Sequence, residues 1–431
     1  MKILLISPWD KRHNRYRSPL SALISYPPLT LPTLAALVPE ELNAEISILD
    51  EISDKKLPKG HFDLVGITVI AAEAMRAYEL ADYYRSKGSF VVLGGYHTSF
   101  MQEEALSHAD SIVVKDADLA WPELLNDFAA GRECKRIYSG EGAVPRHTAV
   151  PIRSVLKSAS YAPVSTVMAS RGCNNRCSFC SISRMAAYSS RDIDDVIAEL
   201  KGLKHRTVIF YDPNFFSNRE YAIALMEKMK PLKLHWGATA TVDFGFDIPL
   251  LKASQQSGCT GVLIGFESLN SKALQGANKR FCQPERYKEA INNIHSHGMS
   301  INGTFVLGLE SDDEESLLAL PEGIRSLGID LPIFFVMTPS PGTELYEQMQ
   351  AEGRILTKDW SRYTQAEVVF MPKAMSPERL LELYRRAWRE TYTIKNILKR
   401  VMNAPGKALW DKLIVVCMNV GFKFMGKDKP K

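Results

Sequence analysis

Arg171-Gly172-Cys173-Asn174-Asn175-Arg176-Cys177-Ser178-Phe179-Cys180 holds three of the chain's seven cysteines at C-x3-C-x2-C spacing. A loop this short can bring its thiolates round one soft metal centre. Three ligands are one too few for a closed four-cysteine zinc or iron–sulfur site, so one metal position stays open for chemistry. A structural zinc would need a fourth ligand, and the nearest downstream histidine, His205, falls at the far end of the next helix. Phe179, inside the second gap, is an apolar cover of the kind that keeps water from a cluster. Spacing and the missing fourth ligand favour iron–sulfur over zinc.

Strand-like and helix-like runs alternate on from the loop. Strands are expected at 164–169, 207–211, 234–240, 261–265, 300–307 and 331–337, with helices at 193–203, 219–229, 248–257, 283–297 and 313–327. About six β/α units predict a partial (β/α)6 TIM-type barrel over residues 160–345. Such barrels carry chemistry on the loops at the carboxyl ends of strands. The cysteine loop, Asp212, Asn214, Glu267, Ser268 and Thr338 all fall there. Cys259, just before a strand, and Cys282, in a loop, read as small core residues.

The preceding stretch has the same character. Strands are expected at 2–7, 44–50, 63–69, 89–95 and 110–114, with helices at 31–42, 71–87, 103–108 and 118–130. This order predicts an α/β, flavodoxin-like Rossmann domain over residues 1–140, with a parallel, doubly wound sheet. A ligand would sit outside the carboxyl ends of its strands, at Ser7-Pro8, Thr68 and Gly94-Gly95-Tyr96-His97. No G-x-G-x-x-G opens the first helix and there is no P-loop, which weakens dinucleotide and nucleotide readings. Residues 131–160 read as a connection, with Cys134 as an inert thiol.

Residues 346–431 read as a small helical, basic region. Pro339-Ser340-Pro341-Gly342-Thr343 breaks the barrel pattern and a helix resumes over 344–352; farther on, Ser376 is a good N-cap with Pro377 in the first helical position. From residue 373 onward 14 Lys/Arg face 5 Asp/Glu, a net +9 against +4 for the whole chain. The apolar run 413–424, flanked by lysines, fits either a helix packed on the barrel or a basic amphipathic helix on an anionic membrane. Nucleic acid is disfavoured, because no aromatic stacking positions accompany the charge.

At 431 residues, 45% apolar and 24% charged, the chain is a folded protein of two or three domains. An odd cysteine count with one tight cluster argues for reduced thiols and a cytoplasmic location, not a disulfide framework. No apolar run is long enough for a membrane span, and the opening run is too brief for a signal sequence.

C-x3-C-x2-C with an aromatic inside the second gap, on the loop after the first barrel strand, resembles the radical S-adenosylmethionine (SAM) superfamily over residues 160–345. The resemblance implies a [4Fe–4S] cluster on Cys173, Cys177 and Cys180, with SAM on the open iron. It implies Phe179 near the adenine, Asp212 and Asn214 where the methionine amino group is handled, and Glu267 and Ser268 beside the nucleoside. Four further segments resemble the cobalamin-binding domain of one radical SAM subgroup: Pro27-Pro28-Leu29-Thr30-Leu31-Pro32 (although a Gly is common where Thr30 stands), Asp63-Leu64-Val65-Gly66-Ile67-Thr68, Val91-Val92-Leu93-Gly94-Gly95-Tyr96-His97 and Trp121-Pro122-Glu123-Leu124-Leu125. Cobalamin would then lie at Thr68, Gly94, Gly95 and His97. Two departures stand out. Asp10-Lys11-Arg12-His13 does not reproduce the D-x-H-x-x-G motif, so no protein histidine would sit on cobalt. Lys115-Asp116-Ala117-Asp118 replaces the usual Gly-Glu-rich turn, which leaves open a degenerate scaffold without the cofactor.

The implied activity is a cobalamin-dependent C-methyltransferase acting on an unactivated carbon; the alternative is radical cyclisation, C–C bond formation or rearrangement without methyl transfer. A methylthiotransferase is disfavoured because no cysteine precedes Cys134. A non-catalytic electron carrier would need no barrel. The expected partners are a small-molecule or lipid-like substrate and a donor such as flavodoxin or ferredoxin, with peripheral contact at the inner face of the membrane through the basic C-terminal segment.

Overall fold

The computed structural model describes residues 1–16, 25–54, 56–140, 148–157, 160–405 and 409–425. The first sheet contains β1 (Lys2–Ser7), β2 (Glu45–Asp50), β3 (Leu64–Thr68), β4 (Phe90–Gly94), β5 (Ser111–Val114) and β6 (Ile137–Ser139), in the order β2-β1-β3-β4-β5-β6. All its pairings are parallel. Ile3, Leu4, Leu5 and Ile6 are all fully buried, because helices cover both faces and leave no polar side for alternation. The strand order reverses between β1 and β3, so the crevice of this doubly wound sheet opens beside Ser7 and Thr68.

Strand β6 lies within the stretch expected to be only a connection. It is three residues long at the sheet edge, and of its residues Tyr138 alone is buried. The expected helix over 31–42 stops early, as Thr30–Ala36, with a 3-10 turn at Glu40–Leu42. Pro39 accounts for this, since proline disfavours helical backbone in the residue before it. A one-turn helix, Tyr96–Phe100, comes directly after the paired glycines.

Downstream come β7 (Ser165–Val167), the short antiparallel pair β8 (Ser170–Arg171) and β9 (Ser189–Ser190), then β10 (Thr207–Phe210), β11 (His235–Ala240), β12 (Cys259–Glu267), β13 (Ser300–Leu307) and β14 (Leu331–Val336). Six of them form a parallel sheet in the order β14-β13-β12-β11-β10-β7, the curved wall of a partial barrel. Phe210, Trp236, Phe266, Phe305 and Phe334 fill its core. β12 begins two residues earlier than expected, after the left-handed turn at Gly258, so Cys259 lies inside a strand. Burial pushes the Cys259 thiol up to about 12, as suits an inert core residue.

The C-terminal residues divide between the two sheets. Helix Pro377–Thr391, capped by Ser376, sets Trp388 against Phe334 of β14. Helix Leu409–Met425 packs Val415, Asn419 and Phe422 inward, and Asn419 donates to the Asp330 carbonyl at 3.2 Å. Of the two readings left open for this run, the structure shows the packed one; Lys407 and the lysines after 425 lie outside the described residues. Tyr346, Trp360, Tyr363 and Val369 instead join the core of the first sheet. Trp360 Nε1 donates to Glu104 at 2.8 Å, and His13 bridges Glu73 and the Ser361 carbonyl at 2.8 Å each.

Candidate metal centre

The cysteine loop runs from β8 to helix Ile182–Met185, and all three thiols are half-buried. Gly172 makes the turn into it with φ +67°, and a Cβ there would lie 2.4 Å from the Ala187 carbonyl oxygen. Backbone cannot yield as a flexible side chain can. Gly172→Ala should therefore cost about 1–3 kcal/mol and lower the iron retained per chain, read from urea unfolding and metal analysis.

Three outside tethers hold the backbone of the loop, and the Asn174 side chain adds a fourth by donating to the Ser217 carbonyl at 3.2 Å. Ser178 N–H donates to the Ala277 carbonyl at 3.2 Å, Leu345 N–H donates to the Ser178 carbonyl at 3.1 Å, and Asn278 donates to the Arg176 carbonyl at 2.6 Å. Phe179 packs against the barrel core. Burial pushes the Cys177 thiol up to about 12; the Lys279 ammonium opposes the rise, and Cys180, Glu267 and Cys173 add to it. Cys180 is raised by burial as well. The thiols are thus close enough to influence one another, although among the described residues no three His, Cys, Asp or Glu side chains are gathered tightly enough to hold an ion. Soft donors on a tethered loop suit a bridged iron–sulfur unit, whose ligands stand farther apart than those of one ion. His205 lies elsewhere: its N–H meets Ser165 at the amino end of β7, opposite the loop.

Asp212, buried just past β10, accepts from Ala169 N–H at 3.0 Å, Ser170 N–H at 2.5 Å and Ser170 Oγ at 2.6 Å. Its carboxylate anchors the segment leading into the cysteines. Burial raises its pKa to about 6 despite those three donors. A raised carboxyl favours the folded state more as pH falls from about 6 toward 3.8, so mild acid does not weaken the fold through this group. Asn214, also buried, accepts from Phe216 N–H at 3.2 Å.

On the next strand but one, Glu267 ends β12 with φ +63°, where the register against β13 shifts by a bulge. Bulges re-aim side chains, and left-handed backbone outside glycine is a local strain. The side chain meets Lys279 at 2.8 Å, with Thr304 Oγ1 at 3.5 Å. Lys279 also donates to the Gly265 carbonyl at 2.9 Å. A Cβ on Gly265 would lie 2.4 Å from Glu267 Oε1, so glycine makes room for the pair. Burial works against the Lys279 charge, but the Glu267 carboxylate, together with Cys282 and Cys177, outweighs it and holds the ammonium above its ordinary range. Ser268 comes next, its Oγ accepting from Asn270 N–H at 3.0 Å.

Nothing in the sequence marks Lys279. It sits in Asn278-Lys279-Arg280, which reads as a solvated turn, and no spacing reveals its burial. Arg171 opens the cysteine stretch, and only the fold gives it a role. Its guanidinium binds Asp118 and, at 3.3 Å, Asp116. The Lys115-Asp116-Ala117-Asp118 turn thus grips the first residue of the cysteine stretch. Lys115 reaches the Arg184 carbonyl at 2.8 Å. The Tyr96 phenol, raised first by burial, also feels Cys180 and Asp116. The carboxyl end of the first sheet therefore abuts the cysteine loop.

The remaining residues expected to bind a ligand on that sheet are set by its strand ends. Thr68 ends β3, half-buried. Gly94 ends β4, and Gly95 has φ +111° with its would-be Cβ 2.8 Å from the Val69 carbonyl oxygen, so the turn itself requires glycine. The His97 side chain is fully buried, its ring 5.0 Å from that of Trp360.

Residues 167–320 match the model of the radical SAM superfamily, and residues 343–408 match a domain of unknown function, DUF4070. The chain is 30% identical over 398 residues to bacteriochlorophyllide d C-12(1)-methyltransferase of Chlorobaculum tepidum, covering 89% of this chain and 86% of that protein. The chain belongs to the radical SAM superfamily. A second relative, bacteriochlorophyllide d C-8(2)-methyltransferase of the same organism, is 30% identical over 423 residues, covering 92% of this chain and 91% of the other. Among solved structures, the cobalamin-dependent SAM radical enzyme OxsB superposes with a TM-score of 0.69 at 14% identity, over 96% of this chain and 70% of that one, which shows a shared fold. As a radical SAM enzyme the protein uses a [4Fe–4S] cluster to cleave SAM, and it needs a small-molecule substrate and a reductant.

Proposed function

We propose that the protein is a cobalamin-dependent radical SAM methyltransferase that places a methyl group on an unactivated carbon of a small molecule. The observation that carries the reading is the joint between the two sheets, where Asp116 and Asp118 hold Arg171 and Lys115 reaches the Arg184 carbonyl. It brings the Thr68 and Gly94-Gly95 edge of one sheet to the cysteine loop of the other, as methyl donor and substrate carbon must meet. The methyltransferase relatives, alike over nearly the whole chain, support the same reading.

Cys173, Cys177 and Cys180 are assigned to the cluster. Phe179 would cover the adenine side, Asn214 would meet the methionine end of SAM, and Asp212 would act through the backbone it anchors. Glu267 and Ser268 would face the nucleoside, with Lys279 fixing the Glu267 carboxylate. Thr68, Gly94, Gly95 and the His97 main chain would border the corrinoid, the His97 ring being committed to the core. When bound, the cluster and SAM supply one-electron chemistry at carbon and the corrinoid supplies the methyl group. Flavodoxin or ferredoxin is the proposed donor, and the basic C-terminal segment the proposed point of peripheral membrane contact. Among the described residues no helix is long and apolar enough to cross a membrane.

Anaerobic incubation of the reconstituted protein with SAM and reductant tests the reading. Release of both 5′-deoxyadenosine and S-adenosylhomocysteine, by protein that carries corrin absorbance, is expected. Deoxyadenosine alone would replace methyl transfer by cyclisation or rearrangement, and neither product would overturn the activity.

A further inference from the structure

Helix Ile394–Asn403 keeps Ile397 in the core, yet Ile394, Leu398 and Met402 are 66%, 58% and 71% exposed. At four-residue spacing they form one stripe within about 80° of the helix circumference. Lys395 and Lys399, both exposed, occupy the adjoining face. Beyond them lies a cavity of about 50 Å³, lined among others by Arg325, Thr391, Asn396, Lys399, Arg400 and Asn403. Arg400 is fixed there: its guanidinium stacks 4.6 Å over the Tyr392 ring and donates to Asn419 and to the Thr391 carbonyl, each at 3.0 Å. Its remaining terminal nitrogen and the Thr391 hydroxyl are buried with no hydrogen-bond partner among the described residues. Asp330 also lines the cavity and its charge acts on Arg400; its Oδ2 is taken by His295 at 2.9 Å and Ile301 N–H at 2.8 Å, and the cationic side chains Arg325, Lys399 and Arg400 outnumber it there.

An apolar stripe, a row of lysines and a cationic cavity with idle donors thus succeed one another round a single helix. That order matches the depth profile of an anionic bilayer: acyl chains, then headgroup charge, then a phosphate within reach. A second copy of the chain fits less well, since three side chains fall far short of the roughly 800 Å² per partner of a stable interface.

We propose that helix Ile394–Asn403 seats the protein on an anionic phospholipid bilayer, with Ile394, Leu398 and Met402 entering the acyl boundary and a lipid phosphate held in the Arg400 cavity. The inference rests on the peripheral contact proposed for the basic C-terminal segment and names its site.

Flotation of the full-length protein with vesicles tests it, using phosphatidylcholine alone or mixed with phosphatidylglycerol. Binding is expected to the mixed vesicles and not the neutral ones. Leu398→Ser with Met402→Ser should weaken it at least about tenfold, and Lys399→Gln or Arg400→Gln should weaken it severalfold, while SAM cleavage without vesicles is unchanged. No flotation by the unaltered protein would overturn both the contact and its site. Flotation that survives the helix variants would overturn this site alone. A dimer that the same variants dissolve, or thermal stabilisation by inorganic phosphate with no flotation, would equally overturn it.

Discussion

Cys177→Ala is expected to leave a folded chain that neither retains iron after reconstitution nor releases 5′-deoxyadenosine from SAM. Cys177 stands between its two partner thiols on a loop whose tethers use backbone groups of Arg176 and Ser178, so the substitution leaves those tethers in place. Removing a ligand for which no neighbour can substitute should cut turnover by more than about a thousandfold. Iron content, SAM cleavage and circular dichroism together separate a lost ligand from a lost fold. A variant that still cleaves SAM would sink the cluster assignment.

Lys279→Met is expected to produce the largest loss of stability among single changes at the site. Lys279 is 5% exposed and its partner Glu267 9%. Breaking a buried pair by removing one member strands the other charge, at a cost of roughly 3–5 kcal/mol. Adding Glu267→Gln should restore the larger part, because no charge is then left unpaired. Urea unfolding of the metal-free protein checks both variants at one pH. A loss under about 1 kcal/mol would mean that water or another cation already serves the carboxylate. The double variant should still bind SAM less well, since the proposed role of Glu267 goes with its charge.

Both sheets were legible because their strands are short apolar runs separated by helical periodicity, a pattern that survives without knowledge of contacts. The rim residues were legible for a related reason: Asp212, Asn214, Glu267 and Ser268 each stand at or just past the carboxyl end of such a run, and the fold gathers those ends on one rim of the wall. Edge strand β6 was not legible, because a single buried Tyr138 gives no period. Lys279 was illegible for a deeper reason. Lysine is ordinarily a surface residue, and only the bulge at Glu267, itself invisible in the sequence, creates the acceptor that lets it be buried. Asp116 and Asp118 stood out only as departures from a family pattern, and their work on Arg171 depends on two sheets meeting.

Trp360 and its neighbours Tyr346, Tyr363 and Val369 have a consequence for how the chain comes off the ribosome. Their side chains complete the core of a sheet built from the opening residues, and the Trp360–Glu104 bond spans 256 positions. Domains ordinarily fold in order as they are made. Here the leading sheet emerges with part of its apolar surface uncovered and waits for the whole barrel to be translated before its last pieces arrive. The nascent protein therefore has a long interval of stickiness near its start, and a chain stopped after the barrel would keep that surface for good.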